Sequence, residues 1–373
     1  MEKEQFRGYV HQYIKLISLF LNKKEAQDFP IDEQTIPFFL RLSKYHSLTV
    51  VLYKAIIDTK LKIDEKDLKK LEEAYFSNLR KAMAYEKERK ELYKYLNEND
   101  ISFLPLKGII IKDYYPDPYI REFADNDILY DVNKDTLVKD YFVKRGYEIE
   151  EFRRSNHDVY MKKPFYNFEM HRALFGLSVD KKEADYFVDY LNKGLVKDHK
   201  ELYLKDEDFY LYFTAHSYKH YHNSGCGFRP LIDYYLYLKN KELDFNYINQ
   251  ELEKIGLVDF SNLMRTLPFK LFDQQPLTEE EEDIVLFIAS SGTYGTLEHN
   301  VAKGIKEKGR FKYYMSRVFP SLAFYKAVYP WAYKCRILIP IAWLCRLFRI
   351  LFKNPKKARN ELKMIRTYKE EEE

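Results

Sequence analysis

Apolar residues recur at three- and four-residue spacing through Phe6 to Leu21, Ile36 to Ile57 and the long charged run Leu68 to Leu96. This spacing predicts three amphipathic helices, separated at Pro30 and around Asp64–Glu65. His46, in RLSKYHSL, falls on the second, where it either reaches a functional site or packs as a partly buried histidine. After Asn97 to Asp100 the period changes. Ile101–Leu106 reads as a strand, Gly108–Tyr115 as a short helix and Asp127–Tyr130 as a second strand. Lys134–Lys144 reads as a helix, Tyr147–Phe152 as a third strand, and Val159–Lys163 with Phe165–Arg172 as a hairpin turned near Pro164. Such alternation suits a small mixed sheet with helices on one face, an α+β arrangement. Helices return over Lys182–Asn192, Asp206–His222, Leu231–Leu238, Tyr247–Gly256, Ser261–Leu271 and Glu279–Ser290, and Thr293–Thr296 reads as a loop.

The most apolar run is CRILIPIAWLCRLFRILF, residues 335–352, interrupted by Arg336, Arg346, Arg349 and Pro340. A span needs roughly 20 mostly apolar residues, and three arginines inside one are costly. The expectation is an amphipathic helix with its apolar side covered. It either packs on the domain or lies peripherally on a membrane through residues 335–357, where Lys353, Lys356 and Lys357 adjoin.

Composition narrows the partners. The 373 residues hold 62 basic and 58 acidic side chains, a net +4. That is too small a surplus for wholesale nucleic-acid coating, so long nucleic acid is disfavoured. Aromatic residues make up 17%, led by 34 tyrosines, and this is first of all helix-packing material. Cys226, Cys335 and Cys345 form no spaced framework, and together with the lack of a signal peptide this points to a reducing cytoplasm.

The candidate chemistry gathers in Leu104–Asp131, LPLKGIIIKDYYPDPYIREFADNDILYD. On a strand, period two puts Asp125 and Asp127 on the same face. Their mutual repulsion gains nothing for folding unless a cation sits between them. Mg²⁺ (or Mn²⁺) fits, since it takes one or two carboxylates and leaves its other positions to water and phosphate. Replacing Asp127 by Asn would then relieve repulsion in the metal-free chain. Gly108 lets a backbone approach phosphate closely, and the start of the helix after it favours an anion. Lys107 and Gly108 are therefore a candidate cradle for the phosphates of a nucleoside triphosphate. Arg121 either contacts the triphosphate through its donor fork or pairs with Glu122 or Asp125. Glu169, in YNFEMHRAL, is a third acid on a later strand; it either joins the aspartates or faces solvent from an edge strand. His216, His220, His222 and Cys226 invite a zinc reading, but their spacing fits no common signature.

These residues resemble a known family. LKG, then YP-P, then R-x-x-x-D-x-D-[IL]-L is similar to an uncharacterised bacterial nucleotidyltransferase family within the DNA polymerase β-like superfamily. Asn126 departs from the apolar residue usual between the aspartates, and Lys107-Gly108 stands where the wider superfamily has Gly-Ser. The resemblance implies a nucleotidyltransferase palm over 100–178. A helical region at 1–99 precedes it, and a helical domain at 179–310 and a C-terminal amphipathic segment at 311–373 follow. It implies Asp125, Asp127 and Glu169 as catalytic and Mg²⁺-holding acids, with an NTP as substrate and an unidentified acceptor. Glu169-Met170-His171 matches the family's acid-x-His spacing, with His171 supporting the metal site or packing under the sheet. The segment H-x-x-x-H…G-x-R-x-x-x-D resembles a second family patch. It would bring His216 or His220, with Arg229, toward the nucleotide, unless Arg229 and Asp233 simply pair at i and i+4.

Overall fold

The computed structural model describes residues 3–176, 181–292, 309–322 and 328–353, with 301, 305, 325 and 359 singly. Thr293–Thr296 and the acidic terminus lie outside them. The order is α1 (Lys3–Leu21), α2 (Thr35–Tyr45), α3 (Thr49–Asp58), α4 (Glu65–Glu98), β1 (Phe103–Pro105), α5 (Gly108–Ile111), β2 (Asn126–Tyr130), α6 (Asp135–Lys144), β3 (Glu148–Glu151), β4 (His157–Lys162), β5 (Tyr166–His171), α7 (Lys181–Tyr186), β6 (Leu195–Asp198), β7 (Glu201–Tyr203), α8 (Asp206–Ser224), α9 (Arg229–Lys239), α10 (Phe245–Ile255), α11 (Val258–Phe272), α12 (Glu279–Ser291), α13 (Arg310–Val318), α14 (Pro330–Lys334) and α15 (Ile339–Lys353).

The fold is α+β, built on one mixed sheet ordered β3-β4-β5-β2-β1-β7-β6. β2 runs parallel to β5 and antiparallel to β1. The sheet is larger than the sequence pattern suggests, because β6 and β7 form a hairpin beside β1. All four β6 residues are exposed, so LVKD carries no alternation to read.

Helices cover both faces rather than one. Ile128, Tyr130, Phe168 and Met170 pack beneath the sheet with Leu92 and Leu96 of α4 and Val138 and Phe142 of α6. Leu104, Leu106 and Leu129 face the opposite way, into a core shared with α1–α3 and α8–α12. Period two therefore sorts each strand between two hydrophobic cores. Asp127 of β2 and Glu169 and His171 of β5 open toward the α8 side.

The expected helix Ile36–Ile57 is two helices, broken where Ser47 takes φ 53°. The break holds His46. Its Nδ1 accepts from Phe228 N–H at 3.2 Å, so Nε2 carries the proton and donates to Ala289 O at 3.0 Å. His46 is thus a packing histidine with both nitrogens satisfied.

At the C-terminus Pro340 falls in the first turn of α15, where its missing N–H costs nothing. Trp343 Nε1 donates to Val318 O at 2.8 Å, and Arg346 Nη2 to Arg317 O at 2.7 Å, so this side rests on α13. The apolar side is not covered as expected: Ile337, Ile341, Leu344 and Phe348 are 50–86% exposed. No helix among the described residues is long and apolar enough to cross a membrane.

Burial pushes His46 down to about 4. The unfolded chain takes up this proton near pH 6.5, so the stability His46 contributes is complete above that pH and is lost as pH falls toward 4. About 2–3 kcal/mol is at stake. Urea unfolding at pH 7.5 and 4.5 should show a smaller pH effect for His46→Gln than for the unaltered chain; equal effects refute the assignment.

Candidate active site

The parallel register of β2 and β5 sets Asp127 directly beside Glu169 and Leu129 beside His171, with Cα atoms about 4.8 Å apart. β4 adds His157 opposite His171. Asp125 precedes β2 by one residue and, with Asp127 and Glu169, lines one cavity of about 340 Å³. Lys107, Gly108, Arg121, His157, His171, His216, Lys219, His220 and Arg229 line it too. Asn126 points into the other core, where its Oδ1 accepts from buried Arg89 at 2.9 Å. The residue foreign to the family's pattern is thus kept off the cavity by strand alternation.

Asp127 is fully compensated within the chain. Lys107 Nζ stands 2.9 Å and His171 Nε2 2.7 Å from its Oδ1. Burial opposes ionisation, but Lys107 and His171 outweigh it and hold the Asp127 carboxyl well below the usual range. Burial likewise opposes the Lys107 ammonium, and Asp127 reverses that and raises it. The other two acids go the opposite way. Burial, then Asp127, raises Asp125. Burial, then Asp127 and Asp125, pushes Glu169 up to about 7. Relief of repulsion by removing the Asp127 charge, expected from sequence, is therefore not what this geometry gives; the lysine would be stranded instead.

Lys107 has φ 47° at the turn out of β1, a costly conformation for a side-chain-bearing residue, and it brings the ammonium back over β2. Gly108 follows for steric reasons: a Cβ there would stand 2.4 Å from Arg121 Nη1. The helix it opens is shorter than the expected Gly108–Tyr115. It stops at Ile111 and continues as a 3₁₀ turn, Lys112–Tyr114, so little dipole supports an anion.

Arg121 pairs with neither Glu122 nor Asp125. Its Nε and Nη2 donate to Asp233 of α9 at 2.8 and 2.7 Å, and Tyr115 adds a hydroxyl at 2.8 Å. This buried fork pins the loop before β2 to the helical region and leaves Nη1 beside Gly108. Arg229 does not take Asp233 at i+4; its Nη1 donates to Glu122 O at 2.9 Å. Glu122 Oε1 in turn accepts from Val50 N–H at the start of α3.

α8 forms the facing wall. His216 and His220, one turn apart, bring their Nε2 atoms to 3.3 Å. Burial lowers both, His220 to about 4, and Lys107 adds to it. This wall therefore offers neutral imidazoles. The four-residue zinc set does not converge. Cys226 is buried, with its thiol pushed up to about 12 by burial. Among the described residues the metal-spaced group is His157, Glu169 and His171. His157 was missed because β4 begins two residues before the apolar run that marks it.

A mixed sheet presenting clustered acids, faced by lysine, arginine and histidine across a cleft, defines a nucleotidyltransferase-like protein. The chain belongs to the family of uncharacterised nucleotidyltransferases, whose profile matches residues 32–273. No curated protein and no solved structure matches it. The matched span takes in α2–α11, which agrees with the dependence of the site on α3, α4, α8 and α9.

Asp127→Asn should lower stability by about 3 kcal/mol, the cost of breaking a buried pair. Adding Lys107→Met should recover part of it. A thermal melt in which Asp127→Asn matches or exceeds the parent rules out the compensation.

Proposed function

We propose that this protein is a metal-dependent nucleotidyltransferase that moves a nucleoside monophosphate from an NTP to an acceptor hydroxyl of a small molecule or protein. The observation that supports it most is the β2–β5 register, which aligns Asp127 and Glu169 on one face beside Asp125. Three acids in one cleft match the need of in-line phosphoryl transfer for carboxylate-held cations. Mg²⁺ or Mn²⁺, held by Asp125, Asp127 and Glu169, would supply charge to the phosphates.

The chain's own groups then divide the work. Lys107, Arg229 and Arg121 Nη1 offer donors to phosphate oxygens. The acceptor oxygen bonds to the α-phosphorus, the bond from that phosphorus to the bridging oxygen breaks, and pyrophosphate leaves. The hydroxyl proton passes to a carboxylate. His216 and His220, neutral on the opposite wall, offer hydrogen bonds to the base or sugar without adding charge.

One observation favours a second reading. Lys107 Nζ already stands at Asp127, as a bound cation would; a silent nucleotide-binding module would need no more. Incubation with each labelled NTP, Mg²⁺ or Mn²⁺ and cell extract, followed by mass analysis of what gained a nucleotide, separates the two. Transfer should occur and fall roughly 100-fold or more in Asp125→Asn and in Glu169→Gln. Nucleotide binding without transfer under either cation supports the silent module.

A further inference from the structure

Among the cavity's polar groups, His157 has no part in the oxygen-ligand site, and His171 enters it only as the partner of Asp127. His157 Nε2 stands 3.7 Å and His171 Nε2 4.0 Å from the same atom, Glu169 Oε2. The three ligand atoms lie within 4.8 Å of one another. The arrangement comes from the sheet: antiparallel pairing puts His157 opposite His171, and Glu169 precedes His171 by two residues on the same face. Backbone pairing therefore holds the three side chains without a loop.

The nitrogens are also under-used. Nδ1 of both His157 and His171 is buried with no hydrogen-bond partner, although the His171 side chain is only 4% exposed. Ligation through Nε2 places the ring proton on Nδ1, so these two atoms are not themselves the ligands. Since no partner fixes a proton on Nε2 of His157, that lone pair is available. His171 can release Asp127, which keeps Lys107.

We infer that His157, Glu169 and His171 form a binding site for a divalent cation of the zinc class, which shares Glu169 with the oxygen-ligand position at Asp125 and Asp127. Mg²⁺ is a hard ion that prefers oxygen and near-octahedral geometry, whereas imidazole suits zinc and its later first-row neighbours. Ligand atoms about 2.0–2.1 Å from a tetrahedral ion stand about 3.3 Å apart. Side-chain rotation has to close the observed 3.7 and 4.0 Å by about 0.4 and 0.7 Å, and to bring in the third edge, which is at most 4.8 Å. The fourth position faces the cavity and stays open, which is the form of a zinc site that accepts water or an anionic ligand. This inference does not require nucleotidyl transfer.

The test uses the untagged full chain, stripped with chelator and titrated at pH 7.5 with Zn²⁺ by calorimetry and with Co²⁺ by visible absorption. One equivalent should bind, with Co²⁺ bands of nitrogen ligation, and a 100-fold excess of Mg²⁺ should leave it in place. His157→Gln and His171→Gln should each weaken binding by at least tenfold. His199→Gln, on an exposed turn, should bind as the parent does. Should His171→Gln fail to fold by circular dichroism, the less buried His157 carries the test alone. Absence of stoichiometric binding, displacement by Mg²⁺, or unchanged affinity in a folded His157→Gln overturns the site. The transfer assay in Mg²⁺ with Asp125→Asn reads the transferase function separately, so either conclusion can fail alone.

Discussion

A parallel strand register holds two carboxylates side by side, and the rest of the site answers that constraint. Asp127 and Glu169 are Cα partners on β2 and β5. They cannot move apart without slipping a strand by two residues. A slip of one would turn Ile128 and Met170 out of their core and the acids into it. The hydrophobic alternation therefore fixes the repulsion, and the surrounding residues must compensate it.

The compensation is uneven. Lys107 and His171 both go to one oxygen of Asp127, whereas Asp125 and Glu169 keep raised affinities for protons. Two of the three acids thus remain available to cations or to an acceptor proton, and the third anchors the array. The wider frame works the same way. Arg121 and Asp233 neutralise each other in the interior through a fork of two short bonds. Glu122 joins α3 to the loop before β2, and Arg229 joins α9 to that loop. The helical regions on either side of the sheet in sequence are therefore part of the site's construction.

What could be read in the sequence was what depends on neighbours along the chain. Period two paired Asp125 with Asp127, and the apolar strand around Glu169 marked it as an acid needing a reason. The long helices were visible because their apolar faces repeat over several turns. Pairings across the chain were not legible. Asp233 lies 112 residues from Arg121, and an i+4 arginine offered a nearer but wrong partner. The β6–β7 hairpin left no trace, since its strands are short and mostly exposed. His157 fell outside the strand read from Val159, because only the apolar residues after it mark that strand.

The histidines show why such omissions matter for chemistry. Taken singly, His46, His157, His171 and His216 look alike in sequence, yet their surroundings give them different roles. His46 has both nitrogens bonded to backbone and serves packing. His171 bonds an acid through one nitrogen and leaves the other without a partner, and the Nδ1 of His157 is likewise unpartnered. His216 meets a second imidazole. The number of partners on each ring, rather than burial, separates the structural histidine from those facing the cleft. All are at least partly buried, but only a ring with an unclaimed nitrogen can exchange a proton, bind an ion or meet a substrate without first breaking the fold's own bonds.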